Sequence, residues 1–262
     1  MKTKTILLSL LCFLGITTAT AQSDVYYWKD GKAVKLETVD SLTFTAPASG
    51  NPQVDDARAL AEATTEDIGK IIGEDGKIYA TKEAAEAAGI TAVAMIAYVG
   101  NDAETNSTYR HGLALALKDV GHQQWCRQYR ESCLSNQYSS KPAAMGDMAG
   151  LANTDALVYH SSHTHAAATA ARNYKYADSV AEGVHPVVTS AWFLPSAGQW
   201  DKMATAAGGY AKLTTSAGLQ SDRYWTSSEG DAYSAWYFLA DYGGWLYDAK
   251  DYDGLVRPCL AF

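Results

Sequence analysis

The chain has 262 residues, 47% of them hydrophobic and 19% charged, with a formal net charge of −8. That is an ordinary globular composition with room for one good-sized core. The acidic balance leaves no basic surface to hold a phosphate backbone, which argues against nucleic acid and anionic membrane as partners.

Residues 1–21 read as a secretory leader. Lys2 and Lys4 form its positive region, 6–16 its apolar region, and Ala19-Thr20-Ala21 a small-residue cleavage site before Gln22. The apolar run falls far short of the ~20 residues that span a bilayer, and no later run is long enough. Cys12 lies inside it, too early for a lipoprotein site. Removing the leader takes away two of the 21 bases and none of the 29 acids, which leaves −10. The expected location is therefore outside the cytoplasm: secreted, periplasmic or on the cell surface.

Residues 22–48 form a small β unit, in which 25–28 and 33–36 flank the turn signal Asp30-Gly31 and 41–44 add a third strand. A unit this small is marginal alone. Residues 49–67 read as linker followed by a short Ala- and Glu-rich helix at 57–64. The main domain spans 68–262. A hairpin turns at Glu74-Asp75-Gly76, Thr81 caps a short helix ended by Gly89, and 91–99 is a continuous apolar run of central-strand length. Residues 111–117 form a second strand, and the polar stretch 121–148 reads as an irregular insertion loop.

Within that loop, Cys126 and Cys133 are placed to close a small ring as a disulfide in an oxidising compartment. Their spacing matches no zinc motif, and Cys259, among apolar neighbours, reads as a buried thiol. The cluster His160, His163, His165 offers three imidazoles within six residues but no adjacent carboxylate or cysteine, so it reads as a solvated helix entry. Two longer helices are expected, an Ala-rich one at 165–174 and one beginning at Ser196. There Ser196 and Gln199 form a capping box after Pro195, and Gly208-Gly209 stops the helix. No Gly-x-Ser-x-Gly elbow occurs, the calcium-lectin triplets Glu-Pro-Asn and Trp-Asn-Asp are absent, and no cofactor is implied. The acidic residues Asp248, Asp251 and Asp253 leave a calcium site open as a minor alternative.

The last 39 residues alternate apolar runs with turns and predict three or four short strands. Their Tyr and Asp density fits a binding surface, because tyrosine gives a large, rigid contact area with few torsions to immobilise. Tyr224-Trp225-Thr226-Ser227-Ser228-Glu229, Ala235-Trp236, Gly243-Gly244-Trp245 and Val256-Arg257, with the upstream stretch Trp192-Phe193-Leu194-Pro195-Ser196-Ala197-Gly198-Gln199-Trp200, resemble the signature of C-type-lectin-fold domains in bacterial surface proteins. The same scaffold occurs in formylglycine-generating enzymes and in the variable proteins of diversity-generating retroelements, and the gut-bacterial branch of the latter is the nearest resemblance.

The resemblance covers 68–262 and implies an α+β, C-type-lectin-like fold: a twisted antiparallel sheet with two helices, beside the small N-terminal β unit. It further implies a non-catalytic receptor or adhesin with a hypervariable stretch at 224–254. Its ligand-binding residues would be Asp231, Tyr233, Tyr237, Leu239, Asp241, Tyr242, Tyr247, Asp248, Asp251, Tyr252 and Asp253, clustered on one exposed face. The family replaces template adenines, so an AAC codon becomes any codon ending in C. All eleven residues are reachable that way, whereas Trp and Glu are not. That fits Trp236, Trp245 and Glu229 as fixed scaffold, and Trp225, like the other two tryptophans, is expected to be framework because it buries a large apolar area. The expected partner is a protein or glycan at the cell exterior. The alternatives are a structural subunit or tip adhesin of a pilus or surface assembly and, further off, a formylglycine-generating-type enzyme, which would need a reactive cysteine pair in the C-terminal half, where only Cys259 lies near the C-terminus.

Overall fold

The computed structural model describes residues 26–29, 32–35, 57–127 and 132–262. The leader, the strand expected at 41–44 and most of the linker lie outside the described residues. The chain divides into two units, 1–50 and 51–262. In the first, β1 (Tyr26–Lys29) and β2 (Lys32–Lys35) pair antiparallel, with Trp28 opposite Ala33.

The second unit opens with β3 (Arg58–Ala59), β4 (Ile71–Gly73), β5 (Lys77–Tyr79), α1 (Lys82–Ala87), β6 (Ala92–Val99), β7 (Gly112–Ala116) and β8 (Gly121–Gln124). Five helices follow: α2 (Lys141–Met145), α3 (Gly150–Asp155, running on into a π-turn), α4 (Ala166–Arg172), α5 (Ala197–Ala206) and α6 (Tyr210–Ser216). The chain closes with β9 (Arg223–Glu229), β10 (Ser234–Leu239), β11 (Gly244–Ala249), β12 (Asp253–Val256) and β13 (Cys259–Ala261). The class is α+β, as the sequence predicts. The expected sheet is divided in two, a six-stranded one ordered β13-β7-β6-β4-β5-β3 and a five-stranded one ordered β11-β10-β9-β12-β8.

The crossing between the sheets has a local cause. Pro258 follows β12 and has no N–H to continue a ladder. Arg257, almost fully buried, donates from its guanidinium to the carbonyls of Ala116 (2.9 Å), Ala217 (2.9 Å) and Gly218 (3.1 Å) and pairs with Asp119. One side chain thus ties the end of β7, the C-terminus of α6 and the turn into β13. The Val256-Arg257 motif is structural.

β6 is buried on both faces, which accounts for its unbroken apolar sequence. α5 lies between the sheets, touching β6 on one side and β9 and β10 on the other. Its capping box forms as expected: the Ser196 N–H donates to Gln199 Oε1 (2.9 Å) and the Gln199 N–H to Ser196 Oγ (3.4 Å). Trp200 of α5 stacks on Phe238 of β10 at 5.3 Å.

Two expectations are corrected. Residues 57–64 form β3 and a 3₁₀ turn, not an α-helix. So short a segment cannot nucleate a helix unaided, and Arg58 is instead drawn into pairing with β5 and an ion pair with buried Asp67. The stretch 121–148 is not wholly irregular. It supplies β8, which pairs antiparallel with β12, and α2.

Candidate ligand-binding surface

β9, β10 and β11 form an antiparallel meander, and β11 is the outer edge of the five-stranded sheet. Three tryptophans hold it. Trp225 is fully buried and donates through Nε1 to the Gln123 carbonyl (2.9 Å). Trp236 donates to the Tyr138 carbonyl (2.7 Å), and Trp245 to the Tyr210 hydroxyl (2.9 Å). All three are scaffold, as the sequence predicts. The turn into β11 depends on Gly243, whose φ of 62° favours glycine and whose absent Cβ would lie 2.8 Å from the Tyr210 ring.

The eleven expected ligand-binding residues separate by position. Tyr233, Tyr242, Tyr247 and Tyr252 are exposed, Tyr242 at 84%, and so are Asp231, Asp241 and Asp253. Leu239, Asp248 and Asp251 are half-buried. Tyr237 corrects the expectation: it is only 7% exposed. It points inward because β10 alternates Trp236 and Phe238 toward α5 with Ala235 and Tyr237 toward a second buried cluster. There it meets Trp225 edge-on at 5.9 Å and lies under the Arg223 guanidinium.

The exposed residues do not share one face. Asp241 and Tyr242 occupy the β10–β11 turn. Asp231, Tyr233, Asp251 and Tyr252 lie at the opposite end, where the Lys250 N–H donates to the Tyr233 carbonyl (3.0 Å). A six-residue strand of about 20 Å separates the two ends, and Tyr247 and exposed Leu246 lie along it. The arrangement is an edge with a turn at each end.

Two of the aspartates have internal duties. Asp231 Oδ1 accepts the N–H groups of Tyr233 (2.7 Å) and Ser234 (2.8 Å) and the Ser234 hydroxyl (2.8 Å). Burial pushes its carboxyl up, but these hydrogen bonds outweigh it and hold it below the usual carboxylate range. Asp248 accepts from Arg223 Nη1 at 3.1 Å.

Beneath the turns lies a feature that sequence reasoning passed over. Lys250 and Glu229 form an ion pair with both side chains fully buried. Lys250 Nζ also donates to the Ala232 carbonyl (3.1 Å). Glu229 accepts the N–H groups of Cys133 (2.8 Å) and Leu134 (2.9 Å) and the Gln137 amide (3.1 Å). The pair fastens the segment after Cys133 to the meander. That segment supplies Tyr138 and Ser139 to a cleft of about 40 Å³ completed by Gly230, Asp231 and Tyr247. A lysine in a Tyr–Asp-rich turn reads as solvated, and nothing in its local pattern signals burial.

The histidine cluster is also rearranged. His160 is exposed, whereas His165, at the N-cap of α4, is only 1% exposed and packs edge-on against Trp125 at 5.4 Å. The two cysteines expected to form a disulfide are thiols here, and their sulfur atoms and a ring nitrogen of His165 all lie within 4.8 Å of one another. A hydrogen bond with Cys126 raises the Cys133 thiol above its ordinary value and burial adds to this, while the nearby Lys250 ammonium acts in the opposite direction. Cys259 is a fully buried thiol, as expected, raised by burial. Among the described residues, Asp248, Asp251 and Asp253 do not converge on a common cation position.

No protein-family model matches the chain, and no curated protein matches it. A crystal structure of a fimbrial protein from Bacteroides ovatus is similar in fold, with a TM-score of 0.51 and 15% sequence identity over 74% of this chain. The match covers 48% of that protein, so the chain spans about half its length. Among the described residues no helix is long and apolar enough to cross a membrane.

Proposed function

We propose that the chain is an exported, non-catalytic ligand-binding protein whose C-type-lectin-like domain presents the β11 edge and its flanking turns to a macromolecule outside the cell. The observation that carries this reading is the line of exposed Tyr233, Tyr242, Leu246, Tyr247 and Tyr252 above a framework of buried tryptophans. Exposed aromatics of this kind are the usual anchors of protein recognition. The cleft at this edge is about 40 Å³, room for about one water and far below the ~300 Å³ at which small-molecule sites begin. That favours an extended protein or glycan surface as the partner.

The same reading makes 224–254 a diversified segment. Substitution there is inexpensive at exposed turn positions and costly at the anchors. Lys250 extends the codon argument, since lysine, like tryptophan and glutamate, cannot arise from AAC by changing its adenines. Sequencing the locus in sibling isolates should find differences at Asp231, Tyr233, Asp241, Tyr242, Tyr247, Tyr252 and Asp253, with Trp236, Trp245, Glu229 and Lys250 unchanged. A reverse transcriptase and a near-copy of the 3′ end should lie nearby. Differences spread evenly along the chain, or striking the tryptophans as often as the tyrosines, defeat the hypervariable reading.

A second reading, a subunit or tip adhesin of a surface assembly, draws on the likeness to the fimbrial protein. It predicts that surface fractions contain covalent or heat-labile polymers of the full chain and that deleting 22–48 abolishes them. A strictly monomeric surface protein excludes it.

A further inference from the structure

One cluster of metal-ligating side chains lies away from the exposed edge. Cys126 follows β8, Cys133 lies in the next segment, and His165 sits at the N-cap position of α4; among the described residues they are the one group of three close enough to share a cation. Cys126 and His165 are buried and Cys133 is half-buried. The imidazole is oriented from one side only: its Nε2 is 2.8 Å from the Ser161 hydroxyl, while its Nδ1 is buried without a hydrogen-bond partner. Buried polar atoms in folded proteins are ordinarily satisfied.

We propose that Cys126, Cys133 and His165 form a zinc site, with two thiolates and the His165 Nδ1 as ligands. Zinc–sulfur bonds of about 2.3 Å and zinc–nitrogen bonds of about 2.0–2.1 Å put tetrahedral ligand atoms about 3.6–3.8 Å apart, within the spacing observed here. Binding displaces one proton from each thiol, and the two thiolate charges then cancel the charge of the cation. That neutrality favours divalent zinc over a monovalent thiophilic ion in a buried setting. Ser161 supplies the outer contact that metal-bound histidines usually have on their second nitrogen. Three protein ligands leave a fourth position for water.

The site's consequence is mechanical. It joins the segment after β8 to α4, and Glu229 already accepts the backbone N–H groups of Cys133 and Leu134. Zinc would therefore steady the segment that brings Tyr138 and Ser139 to the exposed edge. The inference stands on the cluster itself and is independent of the ligand that edge takes.

The test uses the full exported chain, reduced and stripped with a chelator, then titrated with Co(II) and afterwards Zn(II). One equivalent of Co(II) should produce a near-ultraviolet thiolate charge-transfer band that Zn(II) removes, and zinc should raise the unfolding temperature. Cys133→Ser should abolish the band, and His165→Asn and Ser161→Ala should each weaken affinity by about 10-fold or more. His160→Ala, on an exposed ring, should leave it unchanged. Should His165→Asn fail to fold, Ser161→Ala still decides the matter, because all three ligands remain. Absence of a band in folded, reduced protein, an undiminished affinity in Ser161→Ala and His165→Asn, or a Cys126–Cys133 disulfide in protein exported into zinc-containing medium overturns the proposal. The last outcome would return the pair to a structural bridge.

Discussion

Replacing Trp236 by alanine should destabilise the 51–262 unit by about 3–5 kcal/mol, the range for emptying a buried tryptophan site. The indole is 3% exposed, donates to the Tyr138 carbonyl and tilts against Tyr247 at 5.1 Å. Its loss opens a cavity at the centre of the meander and leaves a carbonyl of the adjoining segment without its donor. Tyr242→Ala is the matched control. At 84% exposure it should change stability by no more than about 0.5 kcal/mol. Urea unfolding of both variants checks the assignment of inside and outside. A Trp236→Ala protein as stable as the parent, beside a Tyr242→Ala protein that unfolds, would reverse it.

Lys250→Met should be comparably damaging, by about 3–5 kcal/mol, because it leaves the buried Glu229 carboxylate without its counter-charge. The methionine fills most of the lysine's volume, so the loss measures charge more than packing. Glu229→Gln combined with Lys250→Met should recover part of the stability. The double variant has no buried charge at this pair, and the remaining amide oxygen still accepts an N–H from Cys133 or Leu134. Thermal melts of the single and double variants form the test. A Lys250→Met protein within 1 kcal/mol of the parent, or a double variant less stable than both single ones, would mean that the pair does not hold the segment down.

These two sites mark the boundary between what was readable and what was not. The tryptophan anchors stood out because large apolar side chains beside turn signals have few destinations other than a core. The capping box at Ser196 and Gln199 was readable for a different reason: both partners lie within one helical turn. Tyr237 was misplaced because strand alternation says that neighbours point apart without saying which face is covered. β8 carried no signal at all. Gly121-His122-Gln123-Gln124 has no apolar periodicity, and it is a strand only because β12 offers it a partner.

The sequence by itself determined the α+β class, the turn-and-cap punctuation, the long buried strand β6 and the tryptophan framework of the C-terminal meander. Each rests on interactions within a few residues or on the burial of a single large side chain, and both are written locally. Only the tertiary structure decided that the strands divide into two sheets, that the exposed tyrosines lie along an edge, that Lys250 is buried, and that His165 lies beside two cysteines. Those outcomes depend on partners far apart in the chain. The Cys133 N–H meets a carboxylate 96 residues away, and the Arg257 guanidinium caps a carbonyl 141 residues away. Such pairings are set by which surfaces the packed core brings together, and no local pattern encodes them.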